Sequence, residues 1–177
     1  MSCYFDTTLW IFGKREEELQ VLQEEELPSF RKMKLEFPSK WEDPWYRQLA
    51  GKITTRLPNC VVIEASGNYG NFLDGMKLSQ LYPEFVIYEF DCWETGDYSS
   101  RVIKNQESIE LSHGNEIENQ ELSESFSREE AATIKATASY AEAVEFFEQA
   151  KLRRAEMKAN RAIRVPIDVT DFSESLD

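Results

Sequence analysis

Residues 85–106 read FVIYEFDCWETGDYSSRVIKNQ. Val86, Tyr88, Phe90 and Cys92 fall on one side of an extended chain and Glu89 and Asp91 on the other, the period of two that a strand imposes. Glu94 to Asp97 form a turn. Residues 98–106 return as the hairpin partner, with Tyr98 and Val102 nearest the core. A hairpin here makes the sheet antiparallel, and the segments on either side are read against it.

Immediately upstream, CVVIEASGNYGNFLDGMKLSQLYPEF (residues 60–85) runs from an apolar strand through a glycine-rich turn into a helical segment, 71–81. That order resembles a phosphate-binding loop. No lysine follows Gly70, however, and Gly67, Gly70 and Gly75 do not match the GxGxxG spacing. Asp74, in the first helical turn, would itself occupy an anion site. The adopted reading is structural: Gly67 and Gly70 take positive φ in a strand-to-helix turn.

Further towards the N-terminus, YFDTTLWIF (4–12) is a strand with Phe5, Thr7, Leu9 and Ile11 on one face and Tyr4, Trp10 and Phe12 on the other. Residues 14–27 carry Leu19, Leu22 and Leu27 on a helical stripe that Pro28 ends, leaving Glu24 to Glu26 at the end that the helix dipole disfavours. KMKLEF (32–37) alternates like a half-buried strand. Asp43 and Pro44 are the N-cap and first residue of a helix whose stripe is Trp45, Leu49 and Ile53.

Downstream, residues 108–126 are polar, acidic and poor in aromatics, and read as an irregular connector or short hairpin. Ser127 to Glu130 form a capping box opening a long amphipathic helix, with Ala136, Tyr140, Ala143, Val144, Phe147 and Ala150 at spacings of three and four. The helix is expected to run to about Ile163. The expected division is therefore an α+β core over 1–107, a connector over 108–126, and a helix and tail over 127–177. The fold class is α+β: a mainly antiparallel sheet with helices on one face, an elaborated ferredoxin-like arrangement, plus a long C-terminal helix.

The 177 residues carry 33 acids and 20 bases, a net charge of -13. Such a chain is repelled by nucleic acid and by anionic membrane, so the expected partner is a basic protein surface. No apolar run is long enough to span a bilayer and the N-terminus does not read as a signal peptide. Cys3, Cys60 and Cys92, scattered and odd in number, fit reduced, mostly buried thiols in a cytosol.

The charge is polarised along the chain. Glu84, Glu89, Asp91, Glu94, Asp97, Glu107, Glu110, Glu116, Glu118, Glu121 and Glu124 face only Arg101 and Lys104 within residues 84–124. Between 151 and 164 the balance reverses: Lys151, Arg153, Arg154, Lys158, Arg161 and Arg164 against Glu156. Part of that basic cluster suits a helix C-terminus. His113, the one histidine, is read as a loop residue, so nucleophile–histidine and multi-histidine chemistry have little to build on. Glu89, Asp91, Glu94 and Asp97 could in principle gather a divalent cation, but no calcium-loop spacing is present. No catalytic, cofactor or metal residues are assigned.

The stretch FLDGMKLSQLYPEFVIYEFDCWETGDYSSRVIKNQESIEL (72–111) resembles the second half of the Api92-like ferredoxin-like family of phage and plasmid proteins. The likeness lies in Leu78-Ser79, Tyr82-Pro83, the strand, the Glu94-to-Gly96 turn and the return strand from Tyr98. At the start of the chain the family's Asn-Trp-Cys-Asn pattern is replaced by Ser2-Cys3-Tyr4-Phe5. The resemblance implies an accessory protein of a mobile element and carries no active site.

Together these readings give an expectation of a non-enzymatic cytoplasmic protein that inhibits a nucleic-acid-binding defence complex, of anti-CRISPR or anti-restriction type, by covering a basic surface. The expected contact residues are Glu89, Asp91, Trp93, Glu94, Asp97, Glu107 and Glu110. A homodimer through the helix of 127–163 is a further option. The alternatives are an immunity protein neutralising a basic nuclease toxin and, third, a carboxylate-based or metal-dependent enzyme in which Glu89 and Asp91 share a pocket.

Overall fold

Strand β1 (Tyr4–Phe12) is hydrogen-bonded along both edges, antiparallel to β3 (Cys60–Asn68) on one side and to β4 (Val86–Trp93) on the other. The structure, a computed structural model, describes residues 4–68, 72–115, 134 and 136–162. Four further elements precede β3: α1 (Glu16–Leu19), α2 (Pro28–Glu36), α3 (Pro44–Ala50) and β2 (Lys52–Arg56). Helix α4 (Gly75–Leu81) links β3 to β4, and β5 (Asp97–Lys104), β6 (Glu107–Asn115) and α5 (Tyr140–Ala162) follow. The six strands form one antiparallel sheet in the order β2-β3-β1-β4-β5-β6. β3 and β4 are parallel to each other with β1 threaded between them, a split βαβ unit closed by α4.

Both faces of the sheet are buried. On one, Leu9, Ile11, Ile63, Ile87 and Ile103 pack with Leu19, Leu22, Leu27, Phe30, Met33, Leu49 and Leu78 from the segments that carry α1 to α4. On the other, Val62, Tyr88, Phe90, Val102 and Ile109 meet Ile134 and the Ala143, Phe147, Ala150 stripe of α5. The alternation read in β1, β4 and β5 is thus the alternation between two cores, and the α+β class with a long C-terminal helix is what the structure shows.

Several local expectations are corrected. Residues 32–36 are helical and Phe37 is the C-cap: Pro28 opens α2 instead of ending a helix, Ser29, Phe30 and Met33 are its buried side, and Leu35 is 82% exposed. The strand-like alternation there arose by coincidence from a three-to-four spacing. The stripe Leu19, Leu22, Leu27 is buried as expected, but α1 stops at Leu19 and Glu24–Glu26 start a separate 3-10 turn. Ending the helix spares the acidic triplet from a helix C-terminus. Glu24 is no idle surface acid, since its carboxylate accepts the Ile53 backbone N–H at 2.9 Å.

The helix start at Asp43-Pro44 holds, with Asp43 accepting the Trp45 N–H, but Gly51 (φ 101) ends α3 and Ile53 belongs to β2. β3 runs on through Ser66, Gly67 and Asn68, Gly67 pairing with Phe5, so Gly67 is a strand residue and not a positive-φ turn. Residues 69–71, Gly70 among them, lie outside the described residues. Asp74 is the N-cap of α4 and not part of its first turn. Residues 107–115, expected to be irregular from 108, are β6. Asn105 (φ 48) and Gln106 (φ 63) make a tight left-handed turn between β5 and β6, and Ile109 and Leu111 point towards the α5 side. His113 accordingly stands on a strand, opposite Ser99.

The capping box expected at Ser127 lies outside the described residues. One of the same chemistry opens α5: Ser139 Oγ accepts the Glu142 N–H at 3.2 Å and the Glu142 carboxylate accepts the Ser139 N–H at 2.6 Å. Ala136 is in a turn ahead of the helix. The thiol of Cys60 is buried, which pushes it up to about 12 and makes it inert; Cys92 is half-buried and Cys3 lies outside the described residues.

Phe147 is the largest buried side chain of α5 against the sheet, at 3% exposure. Phe147→Ala is expected to cost about 3 kcal/mol in urea unfolding, whereas Leu152→Ala, at an exposed position of the same helix, should stay within about 0.5 kcal/mol.

Candidate functional site

Glu89 sits in the middle of β4, on the face covered by α1 to α4, and is 3% exposed. A carboxylate cannot be left bare there. Its Oε2 accepts the Gly75 N–H, the first residue of α4, at 2.7 Å, and its Oε1 accepts from Arg101 Nε at 2.7 Å, across the β4–β5 ladder. Arg101 also lies 3.4 Å from Asp74, whose Oδ1 caps α4 by accepting the Met76 N–H at 2.9 Å. Asp91, two residues along β4, accepts from Thr7 Oγ1 of β1 at 2.5 Å. One guanidinium therefore serves a group containing Asp74, Glu89 and Asp91.

Burial above all, and then the neighbouring Asp91 charge, push the Glu89 carboxyl up to about 7, against the opposing pull of Arg101 and the Gly75 N–H. Asp91 is raised too, chiefly by burial, with hydrogen bonds from Thr7 and Glu89 favouring its anion. The pair holds a proton in a range where ordinary carboxyls have lost theirs. That range suits general acid–base work. Access does not, because α4 and Arg101 enclose the Glu89 carboxyl.

The seven expected contact residues divide into three places. Glu89 is withdrawn from any surface, and Asp91 is half-buried and committed to Thr7. The notion that both present their charge to solvent is corrected: their side of β4 faces the helices. Trp93 is half-buried, edge-on to Phe5 with ring centres 4.8 Å apart. Glu94 and Asp97 are exposed at the β4–β5 turn and held there. Glu94 exchanges two bonds with Tyr4, its N–H donating to the Tyr4 carbonyl at 2.9 Å and its carboxylate accepting the Tyr4 N–H at 3.2 Å, and Asp97 accepts from Thr95 Oγ1 at 2.6 Å. Glu107 and Glu110 are exposed on β6, towards the other end of the sheet, Glu107 paired with Lys151 of α5 at 2.8 Å.

The four acids considered for a cation do not converge, and among the described residues no group of three or more His, Cys, Asp or Glu side chains could hold a metal ion. Nor is any helix among them long and apolar enough to cross a membrane. The sequence did not single out Arg101, Asp74, Gly75 or Thr7 as partners of Glu89 and Asp91. Arg101 was legible, because the hairpin register that sets Cys92 against Tyr98 also sets Glu89 against Arg101. Comparison with family models, with curated proteins and with solved structures returned no match for this chain.

Two outcomes follow from the interior group. Because Glu89 is protonated to higher pH in the folded chain than in the unfolded one, the folded state binds the extra proton between pH about 4.5 and about 7, and stability falls as pH rises through that window. Glu89→Gln should flatten this fall by on the order of 1–3 kcal/mol between pH 5 and 8, read by urea unfolding at each pH. A Cβ at Gly75 would stand 2.5 Å from Glu89 Oε2 and 2.8 Å from Ile103 Cδ1. The Glu89 carboxylate is held by Arg101 and the Gly75 N–H, so Gly75→Ala should displace it and lower stability by about 1–2 kcal/mol in the same measurement.

Proposed function

We propose that this protein is a non-enzymatic binding protein whose acidic surface occupies a basic, nucleic-acid-binding face of another complex, as an inhibitor of CRISPR or restriction machinery would in a host cytoplasm. The observation that carries the reading is the β4–β5 turn. Glu94 and Asp97 are exposed there, fixed by bonds to Tyr4 and Thr95 and flanked by the Trp93–Phe5 pair. Carboxylates already held in place lose little freedom on docking, and aromatics beside them add desolvated contact. The net charge of -13 extends the same field and favours fast encounter with a positive groove. The phage or plasmid setting rests on the resemblance of residues 72–111 alone.

The interior position of Glu89 changes which residues test the proposal. Substituting Glu89 would report on folding, not on contact. Glu94→Lys and Asp97→Lys change exposed positions at the turn only. In capture from a host lysate, wild type is expected to retain a nucleic-acid-binding complex that added DNA displaces, and the turn variant to lose it. Equal capture by both, or none by either, removes the acidic turn as a contact surface. Capture of a single nuclease toxin would select the immunity reading.

A further inference from the structure

α5 is about 34 Å long. Ala143, Phe147 and Ala150 are buried, whereas every residue from Lys151 to Asn160 is exposed. This exposed half is held beside β6, since Lys151 Nζ meets Glu107 at 2.8 Å and Arg154 donates to the Ser108 carbonyl at 3.1 Å. Between the helix and the strand lies a groove of about 630 Å³. Leu111, Phe146 and Met157 give it apolar lining, and Arg153, Arg154 and Lys158 are its cations, with Glu110 the acid. Among the described residues neither Arg153 nor Lys158 has an ion-pair partner.

We propose that this groove docks an acidic peptide segment of a partner protein, one apolar side chain seated on Leu111, Phe146 and Met157 and its carboxylates on Arg153 and Lys158. The surface is distinct in place and opposite in sign from the β4–β5 turn, so it adds a second partner class to the function proposed above. Three considerations select the occupant. The groove is locally cationic in a chain of net charge -13, so what enters is chosen by the short-range charges at the rim. A polyphosphate strand, charged at every unit, would meet more of the chain's repulsion than a peptide with a few carboxylates, and it would make no use of the apolar lining. A peptide with a few carboxylates and an apolar anchor uses both, as short segments in helix-bordered grooves do. The helix is clamped by Lys151 and Arg154, which leaves Arg153 and Lys158 available to a ligand.

The test is fluorescence anisotropy of the full chain with a fluorescein-labelled twelve-residue peptide alternating glutamate and leucine. Controls are the glutamine–leucine peptide and a single-stranded oligonucleotide. Arg153→Glu with Lys158→Glu should weaken binding at least about tenfold with an unchanged far-ultraviolet circular dichroism spectrum. Met157→Ser should weaken it without altering its salt dependence. Absence of binding to wild type, equal binding of the glutamine–leucine peptide, an unaffected double variant, or preference for the oligonucleotide each overturns the proposal. So does a dimer, seen by sedimentation, that the double variant dissolves, since the occupant is then a second copy. Binding that emerges only after Glu116, Glu118, Glu121 and Glu124 become glutamine also overturns it, because the chain itself then competes for the groove.

Discussion

The constraint on which the rest of the molecule depends is that β1 has strands on both edges and apolar layers on both faces. On the face covered by α1 to α4 it is closed from Thr7 onward, with Thr7, Leu9 and Ile11 buried. Its neighbours inherit the condition: β4, pressed between β1 and β5, buries all of Val86 to Phe90. An ionisable residue in such a strand must find its partners inside the protein. Glu89 does so by taking the backbone of α4 on one oxygen and Arg101 on the other, so the same carboxylate that is costly to bury also fixes where the split βαβ connection re-enters the sheet. A buried ion pair is not by itself a source of net stability, but removing one member strands the other. The arrangement specifies geometry more than it supplies free energy.

How much of this was legible in the sequence depends on whether local and tertiary signals coincided. The strands β1, β4 and β5 were legible because their apolar residues are dense and β-branched or aromatic, and polar residues such as Thr7, Glu89 and Asp91 alternate with them at a period of two. The Asp43-Pro44 start of α3 was readable for a local reason, a cap and a proline that act within one turn. Segments decided by tertiary contacts were misread. Met33, Leu35 and Phe37 alternate, and only packing against the sheet shows that Leu35 is outside the core. Residues 107–115 are polar because β6 is an edge strand, and an edge strand pairs with one neighbour only. β2, largely exposed, left the same weak trace.

The acidic character of residues 84–124 was real, but its meaning depended on side. A period of two places Glu89 and Asp91 together and opposite Tyr88 and Phe90. It cannot say which of two apolar faces is covered by helices, and here both are. Composition thus identified an acidic segment correctly and assigned its most central member to the wrong environment. Glu94 and Asp97 escaped that ambiguity because Glu94 lies in the turn and Asp97 at the first position of β5, at the rim of the sheet.

The two cores also mature at different points along the chain. Among the described residues, the layer formed with α1 to α4 has Ile103 of β5 as its last member. The opposite layer waits for Ile134 and the Ala143 to Ala150 stripe of α5. During synthesis the sheet would therefore emerge with Val62, Tyr88, Phe90, Val102 and Ile109 uncovered until some forty further residues have left the ribosome, about 2–8 s at ordinary elongation rates. A nascent chain in that interval exposes an apolar sheet face of the kind that chaperones shield, and its high negative charge is then its own defence against association.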